Sequence, residues 1–184
     1  MQSKLFVPIV LVLVACNTGD KSTTSTEKAP ENAVQAINTS GYTLEYPSNW
    51  SIDPPANVEK ILALYKDWDN NTLETSKNSF ADSVLLILGD GTVMNGTRDS
   101  VIANVQTFRN SYTAMKSNIH SVVGLKHGDT GENWVVIWAR EIHTEKSGKT
   151  DSLELHEAWR FNKDGKINWL LQYNQPILPP KASN

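Results

Sequence analysis

Four long extended segments in the C-terminal part of the chain limit its possible folds more than any other feature. Apolar and polar side chains alternate along each segment, and the turns between segments contain glycine. The segments are 118–126, 133–146, 150–162 and 166–174. Alternation places one face of a strand in the core, and short turns join antiparallel neighbours. The pattern therefore predicts an antiparallel sheet with one buried face.

Helical patterns come before these strands and supply a layer to cover that face. Apolar residues recur at helical spacing after Asn57, which we expect to cap the first helix. The apolar stripe of this helix consists of Val58, Ile61, Leu62, Tyr65 and Trp68. A short second helix is expected at 73–78, and Thr97 is expected to cap a third. Helices followed by long strands predict an α+β fold, with about three N-terminal helices packed on the sheet.

Shorter strand signals lie around the first two helices. Residues 41–46 alternate in polarity and stop at Pro47, which predicts a short strand. Residues 80–88 and 92–95 lie on either side of Gly89-Asp90-Gly91, a turn sequence, and predict a hairpin.

The length of each C-terminal turn decides which side chains share a face. We predict that Ser147-Gly148 is a two-residue loop. This loop would pair Trp138 with Glu157 and Arg140 with Leu155.

The last hairpin admits two registers. A two-residue loop, Asp164-Gly165, would pair Trp159 with Leu170. A three-residue loop, Lys163-Asp164-Gly165, would instead pair Trp159 with Trp169. Because a one-residue slip turns every side chain to the other face, burial of the aromatic residues favours the three-residue loop.

In these registers one face of the sheet is almost entirely apolar, and Arg140 and Glu157 are its only polar groups. The predicted apolar members are Trp134, Val136, Trp138, Ile142, Leu153, Leu155, Trp159, Phe161, Ile167, Trp169, Leu171 and Tyr173. An ion pair among indole rings is either a structural pair at the end of the sheet or one wall of a ligand pocket. A wrong register is the remaining alternative. The predicted ligand-binding residues are Tyr65, Trp68, Trp138, Arg140, Glu157, Trp159 and Tyr173.

Several short motifs resemble a SnoaL-like domain of the nuclear transport factor 2 superfamily. They are Leu64-Tyr65-Lys66-Asp67-Trp68-Asp69, Phe80-Ala81-Asp82, Gly96-Thr97-Arg98-Asp99, and Trp159-Arg160-Phe161 followed by Asp164-Gly165-Lys166-Ile167. The resemblance covers about residues 58–174 and implies a cone, in which a strongly curved antiparallel sheet wraps around the helices. It also implies a pocket at the open end of the cone, and frequent dimers.

The resemblance also implies a position for a catalytic group. Relatives include isomerases, cyclases, dehydratases and binding proteins without chemistry, so the fold does not fix the function. In the enzymes, an acidic residue two places before the aromatic residue of the penultimate strand often acts as acid or base. Glu157 occupies this place, and Leu170 stands where a histidine is often found on the last strand.

The N-terminus carries a different signal, in Leu13-Val14-Ala15-Cys16. An apolar run of ten residues from Leu5 to Val14 ends just before the only cysteine. Such a run makes roughly 15 Å of helix, about half of a bilayer core, and is typical of a signal peptide. The stretch resembles the lipobox of bacterial lipoproteins, which implies cleavage after Ala15, lipidation at Cys16 and attachment to a membrane. An ordinary secretory signal with an incidental cysteine is the alternative.

The sequence thus predicts a signal peptide (1–15), a disordered polar tether (16–40), a short strand with a proline-rich extension (41–56), a SnoaL-like domain (57–178) and a C-terminal tail (179–184). Asn17 follows the cysteine in place of the aspartate that retains lipoproteins in the inner membrane, which favours the outer membrane of a bacterial envelope. The formal net charge of −3 argues against nucleic acid as a partner. We expect no cofactor, and the four histidines lack the spacing of metal ligands.

Three functions remain open. The leading hypothesis is a lipid-anchored envelope protein whose cone binds a small apolar or aromatic ligand without catalysis. The second is an assembly module of the envelope that forms homodimers or binds a partner. The third is an isomerase- or dehydratase-like enzyme in which Glu157 transfers a proton; burial would raise the pKa of Glu157 and Arg140 would lower it.

Overall fold

The computed structural model describes residues 38–46 and 49–177. In this part of the chain no helix is both long and apolar enough to cross a membrane. The elements, in chain order, are β1 (Trp50–Ile52), α1 (Ala56–Asn70), α2 (Leu73–Ser76) with a 3₁₀ turn (Lys77–Ser79), β2 (Phe80–Ile87), β3 (Val93–Thr97), α3 (Arg98–Arg109), β4 (Tyr112–His127), β5 (Asn133–Glu145), β6 (Thr150–Phe161) and β7 (Ile167–Pro176).

The seven strands form one curved sheet in the order β1-β4-β5-β6-β7-β2-β3. All neighbouring strands are antiparallel except β2 and β7, which run parallel. Irregularities interrupt the β2–β7, β4–β5 and β6–β7 ladders, and bulges of this kind bend and twist strands. The three helices pack on this curved sheet, which confirms the predicted α+β cone.

The core lies between the helices and the concave face of the sheet. Ile61 of α1 and Ile102 of α3 are at most 1% exposed, as is Ile137 of β5. Phe80 and Val84 of β2, with Phe161 of β6, join the same buried cluster. The helical stripe predicted from the sequence thus faces the sheet, although Leu62 is exposed and Leu64 is buried instead.

The ends of two helices test the predicted caps. Thr97 caps α3 as predicted, because its Oγ1 accepts a hydrogen bond from the backbone N–H of Ser100 at 3.3 Å. The predicted cap of α1 was wrong. Pro55 occupies the cap position, and the buried Asn57 instead donates from its side-chain amide to Asp53 Oδ2 at 2.8 Å.

The strand predicted at 41–46 does not form. Residues 41–46 are irregular, and the first strand is β1, which pairs with the end of β4. Tyr46 is held by ring contacts instead, with centroids 5.9 Å from Trp50 and 5.5 Å from His127. Aromatic packing therefore holds Tyr46 in place without a backbone ladder.

The predicted register of β5 and β6 was wrong by one residue. The loop has three residues, Lys146-Ser147-Gly148, closed by a hydrogen bond from Glu145 N to Lys149 O at 2.8 Å. Gly148 has a φ of +86°, a left-handed conformation that favours glycine. Ile137, rather than Trp138, lies opposite Glu157, so all the side chains predicted to face inwards from β5 face outwards.

The last hairpin combines the two registers considered above. Its loop is the predicted three-residue one, with Gly165 at a φ of +66° and Phe161 opposite Ile167. One extra residue, Asn168, then shifts the ladder, and Trp159 lies opposite Leu170. The bulge therefore reverses which side chains of the rest of β7 point to the inner face of the sheet. The residues that line the inner face are Leu170, Gln172 and Asn174 instead of the predicted Trp169, Leu171 and Tyr173.

Candidate functional site

A cavity of about 430 Å³ lies between the helices and the inner face of the sheet. Pockets that bind small molecules usually measure roughly 300–1,000 Å³ and are mainly apolar. The apolar residues of its lining are Leu64, Leu73, Phe80, Leu86, Leu88, Met94, Ile102, Val105, Phe108, Leu153, Leu155 and Leu170, with Tyr65, Trp68, Tyr112 and Trp159 as amphipathic members. Asp90 and Phe108 line the cavity and are exposed, so the cavity opens beside them.

Glu157 lies on β6 in the wall of this cavity and is only 4% exposed. Its Oε2 accepts hydrogen bonds from Tyr65 Oη at 2.6 Å and from Trp159 Nε1 at 2.9 Å. Its Oε1 accepts one from Gln172 Nε2 at 2.7 Å. Burial raises the pKa of Glu157, and the three hydrogen bonds oppose that increase. The carboxyl group therefore holds an aromatic wall in place.

Glu141 is a second carboxyl in the cavity wall, partly buried with 13% of its side chain exposed, and it was not among the predicted site residues. Its Oε2 accepts a hydrogen bond from Trp68 Nε1 at 2.6 Å, while its Oε1 lies 4.0 Å from His143 Nδ1. Burial raises the pKa of Glu141 to about 7, and the charges of Glu157 and Asp69 act in the same direction. The glutamate is thus poised to gain or lose a proton near neutral pH.

Arg109 fixes the wall that carries Trp68 and Glu141. Its buried guanidinium donates to the carbonyl oxygens of Trp68 at 2.7 Å, Asp69 at 3.0 Å and Tyr112 at 3.3 Å. A cation at these carbonyls also suits the C-terminal end of α1, where the helix dipole is negative. The Arg109 side chain thereby ties the ends of α1 and α3 to the start of β4.

The structure brings together four of the predicted ligand-binding residues and separates the other three. Tyr65, Trp68, Glu157 and Trp159 all line the cavity. The remaining three, Trp138, Arg140 and Tyr173, lie on the outer face of the sheet.

The predicted pairing of Arg140 with Glu157 was wrong. Arg140 instead forms an ion pair with Glu154 on the outer face, with its Nε 2.8 Å from Glu154 Oε1 and its Nη2 donating to the same oxygen. Trp138 stacks on His156, with ring centroids 4.9 Å apart. The one-residue error in the β5–β6 turn accounts for both misplacements.

The outer face also takes two more of the tryptophans expected inside. The Arg160 guanidinium lies 5.9 Å from the ring centroid of Trp134 and 5.7 Å from that of Trp169. Cation–π contact gives these indoles a favourable place outside the core. The number of aromatic residues on a face therefore does not indicate which face of this sheet is buried.

Four sequence predictions concern residues outside the described part of the chain. Cys16, with the signal peptide and most of the tether, lies outside the described residues, as does the tail at 179–184. Within 38–46 and 49–177, no group of three or more His, Cys, Asp or Glu side chains is arranged to hold a metal ion.

Comparison with solved structures shows an NTF2-like fold. An NTF2-like protein of unknown function from Exiguobacterium sp. 255-15 is 16% identical, with a TM-score of 0.51 over 65% of this chain and 98% of its own. The epoxide hydrolase/cyclase-like enzyme SalBIII, from pyran ring formation in salinomycin, is 9% identical, with a TM-score of 0.54 over 65% and 90%. A putative dehydratase of the NTF2-like family from Streptomyces avermitilis is 16% identical, with a TM-score of 0.50 over 68% and 100%. No family model matches the chain, and no curated protein matches it significantly.

Proposed function

We propose that the cone of this protein binds a small, largely apolar molecule. The observation that carries the proposal is the cavity itself, which combines a volume of about 430 Å³ with a mainly apolar lining. The partly buried Glu141 and the buried Glu157 add a few fixed polar contacts, the usual means by which apolar pockets orient a ligand. Because Glu157 already accepts three hydrogen bonds, it supports the wall, and Glu141 is the carboxyl with an oxygen to offer.

A thermal-shift screen of apolar and aromatic compounds tests this proposal. A ligand that binds only the folded state raises the melting temperature by mass action. In the variant Leu88→Trp, the larger side chain would fill part of the cavity, and we expect the shift to disappear. Trp138→Ala, on the outer face, is the matched control and should keep it. The proposal is wrong if no compound shifts the wild type, or if Leu88→Trp responds as the wild type does.

Acid–base catalysis is a second candidate, and the pKa of Glu141 favours it. A general acid or base works best with a pKa near the working pH, and Glu141 has one of about 7 in a mainly apolar cavity. This candidate moves the chemical role from Glu157, the residue expected from the sequence, to Glu141. A panel of enolisable carbonyl compounds would be assayed with wild type, Glu141→Gln and Glu157→Gln. Equal rates in the wild type and Glu141→Gln would end this candidate.

The place of action belongs to the same proposal and is supported by the sequence alone. Lipidation at Cys16 would hold the domain at a bacterial envelope membrane, with the polar tether as a spacer. Mass spectrometry of the mature protein and fractionation of membranes test it. We expect wild type and the tether control Ser22→Ala to carry lipid and to sediment with the outer membrane. Cys16→Ala should lose both properties, and an unmodified wild-type cysteine would contradict the anchor.

A further inference from the structure

We propose that the ligand of the cone carries a protonated or quaternary amine, held between Glu141 and the aromatic group of Trp68, Phe108 and Tyr112. This inference rests on the proposed binding function and names the chemical class of its ligand. Three features of the described residues support it: the sign of the charges in the lining, the arrangement of the rings, and one carboxyl oxygen without a hydrogen bond.

The charges of the cavity lining all have the same sign. Its ionisable acids are Asp90 at the opening and Glu141 and Glu157 in the wall. Among the described residues that line the cavity there is no lysine, arginine or histidine. A backbone hydrogen bond from Thr92 lowers the pKa of Asp90, which keeps the opening negative at neutral pH. Such a lining attracts cations and repels carboxylate and phosphate ligands.

Three aromatic rings of the cavity lining form a chain of contacts that begins at Trp68, the hydrogen-bond partner of Glu141. The rings of Trp68 and Phe108 are nearly parallel, at 14° and 6.2 Å between centroids. Those of Phe108 and Tyr112 meet edge to face, at 71° and 5.5 Å. All three line the cavity, and Trp68 is joined to Glu141 by its Nε1 hydrogen bond. Aromatic faces are the usual surroundings of a bound quaternary ammonium group, and Trp68 already shows such a contact, with the Arg109 guanidinium 6.0 Å from its ring centroid.

Glu141 has an oxygen to offer, whereas Glu157 does not. Glu141 Oε1 accepts no hydrogen bond from the described residues, and His143 Nδ1 lies 4.0 Å from it, at the outer limit of an ion pair. Both oxygens of Glu157 already accept hydrogen bonds from protein donors. The charge of Arg109 lowers the pKa of Glu141, but its guanidinium donates its hydrogen bonds to backbone carbonyls, so an ammonium group at Oε1 would add a direct charge partner.

Binding of a cation should favour the ionised form of Glu141 and so depend on pH. The groups that face it are Trp68 and Asp69 from α1, Arg109 from α3, Tyr112 from β4, His143 from β5 and Glu157 from β6. With a pKa of about 7 in the free protein, a probe with a permanent charge should bind about tenfold more tightly at pH 8 than at pH 6.

Two probes of the same shape separate the contribution of charge to binding from that of apolar contact. One is (2-naphthylmethyl)trimethylammonium, and the other is its neutral analogue in which carbon replaces the quaternary nitrogen. Both would be titrated into the full chain, purified in detergent, with tryptophan fluorescence as the readout. At pH 8 we expect the wild type to bind the cation at least tenfold more tightly than the neutral analogue. The variant Glu141→Gln should bind the two probes about equally.

Two further variants keep the outcome clear. Glu154→Gln, on the outer face, makes the same chemical change outside the cavity and should bind both probes as the wild type does. Phe108→Leu removes an exposed ring and should weaken the cation several-fold more than the neutral analogue, even if Glu141→Gln fails to fold. Equal or tighter binding of the neutral analogue by the wild type overturns the amine inference and leaves the apolar site standing. Failure of both probes to bind overturns the inference and counts against the apolar site too.

Discussion

Replacement of Glu141 by glutamine should stabilise the protein, and should do so only where the glutamate is ionised. The folded-state pKa of about 7 lies above the ordinary value of 4.5, so the folded protein keeps a proton that the unfolded chain releases. Stability therefore falls as the pH rises from 4.5 to 7. At about 1.36 kcal/mol for each pH unit between these values, the ionised carboxyl costs roughly 3 kcal/mol at pH 8 and less than about 1 kcal/mol at pH 5.

The amide of glutamine removes this cost and keeps an oxygen for the indole N–H of Trp68. The free energy of unfolding would be measured by urea denaturation of wild type and Glu141→Gln at pH 5 and pH 8. The hydrogen bond from Trp68 is already included in the pKa of about 7, so it needs no separate allowance. The change in free energy of unfolding on substitution should thus be about 2–3 kcal/mol more favourable at pH 8 than at pH 5.

The matched control is Glu154→Gln, in which the lost partner is Arg140 on the outer face. An exposed ion pair is worth about 0–1 kcal/mol, and no pH dependence comparable with that of Glu141→Gln should appear. An equal effect of Glu141→Gln at the two pH values would refute the reasoning, because it would mean that the side chain is ionised as easily in the folded protein as in water.

Three further substitutions test other contacts, each by urea denaturation. Tyr65→Phe should cost about 1–3 kcal/mol, because a buried oxygen of Glu157 loses its hydroxyl donor; an unchanged midpoint would contradict that contact. Arg140→Ala should lower the free energy of unfolding by no more than about 1 kcal/mol, because an exposed ion pair contributes little to stability. A loss of about 3–5 kcal/mol would return Arg140 to the buried position expected from the sequence. Gly148→Ala should cost about 1–2 kcal/mol through its left-handed φ of +86°, with space around the site and no clash, and a neutral result would contradict the three-residue turn.

The number, type and order of the main elements followed from local sequence patterns. Helical spacing in α1 and α3 and alternation in β4 to β7 are properties of neighbouring residues, so they can be read without knowledge of the fold. The cap at Thr97 and the left-handed Gly165 are local in the same sense. The position of β1 cannot be read from local sequence, because the strand pairs with the end of β4, which is far away along the chain.

Strand register could not be read in this way. A serine followed by a glycine fits a loop of two residues or the last two positions of a loop of three, and the second holds here. The bulge at Asn168 depends on contacts across the sheet, and nothing in its own sequence marks it. One slip exchanged Arg140 for Glu141 on the inner face, which is why the sequence missed the carboxyl with the free oxygen.

Glu157 was placed on the inner face despite these errors, for an identifiable reason. Leu155, Glu157, Trp159 and Phe161 alternate on a single strand and are all buried. Their common face follows from the period of β6, whatever the neighbouring turns do. Positions within one strand can therefore be assigned with more security than pairs between strands.

The parallel pairing of β2 with β7 sets the time at which the cavity comes into being during synthesis. Phe80 pairs with Ile167, so the ladder joins parts of the chain that emerge from the ribosome far apart. Until β7 is made, β2 has an open edge and the cavity lacks Leu170 and Gln172. A nascent chain that stops before residue 167 can hold helices and hairpins but has no closed pocket, and its open edge invites association with other chains.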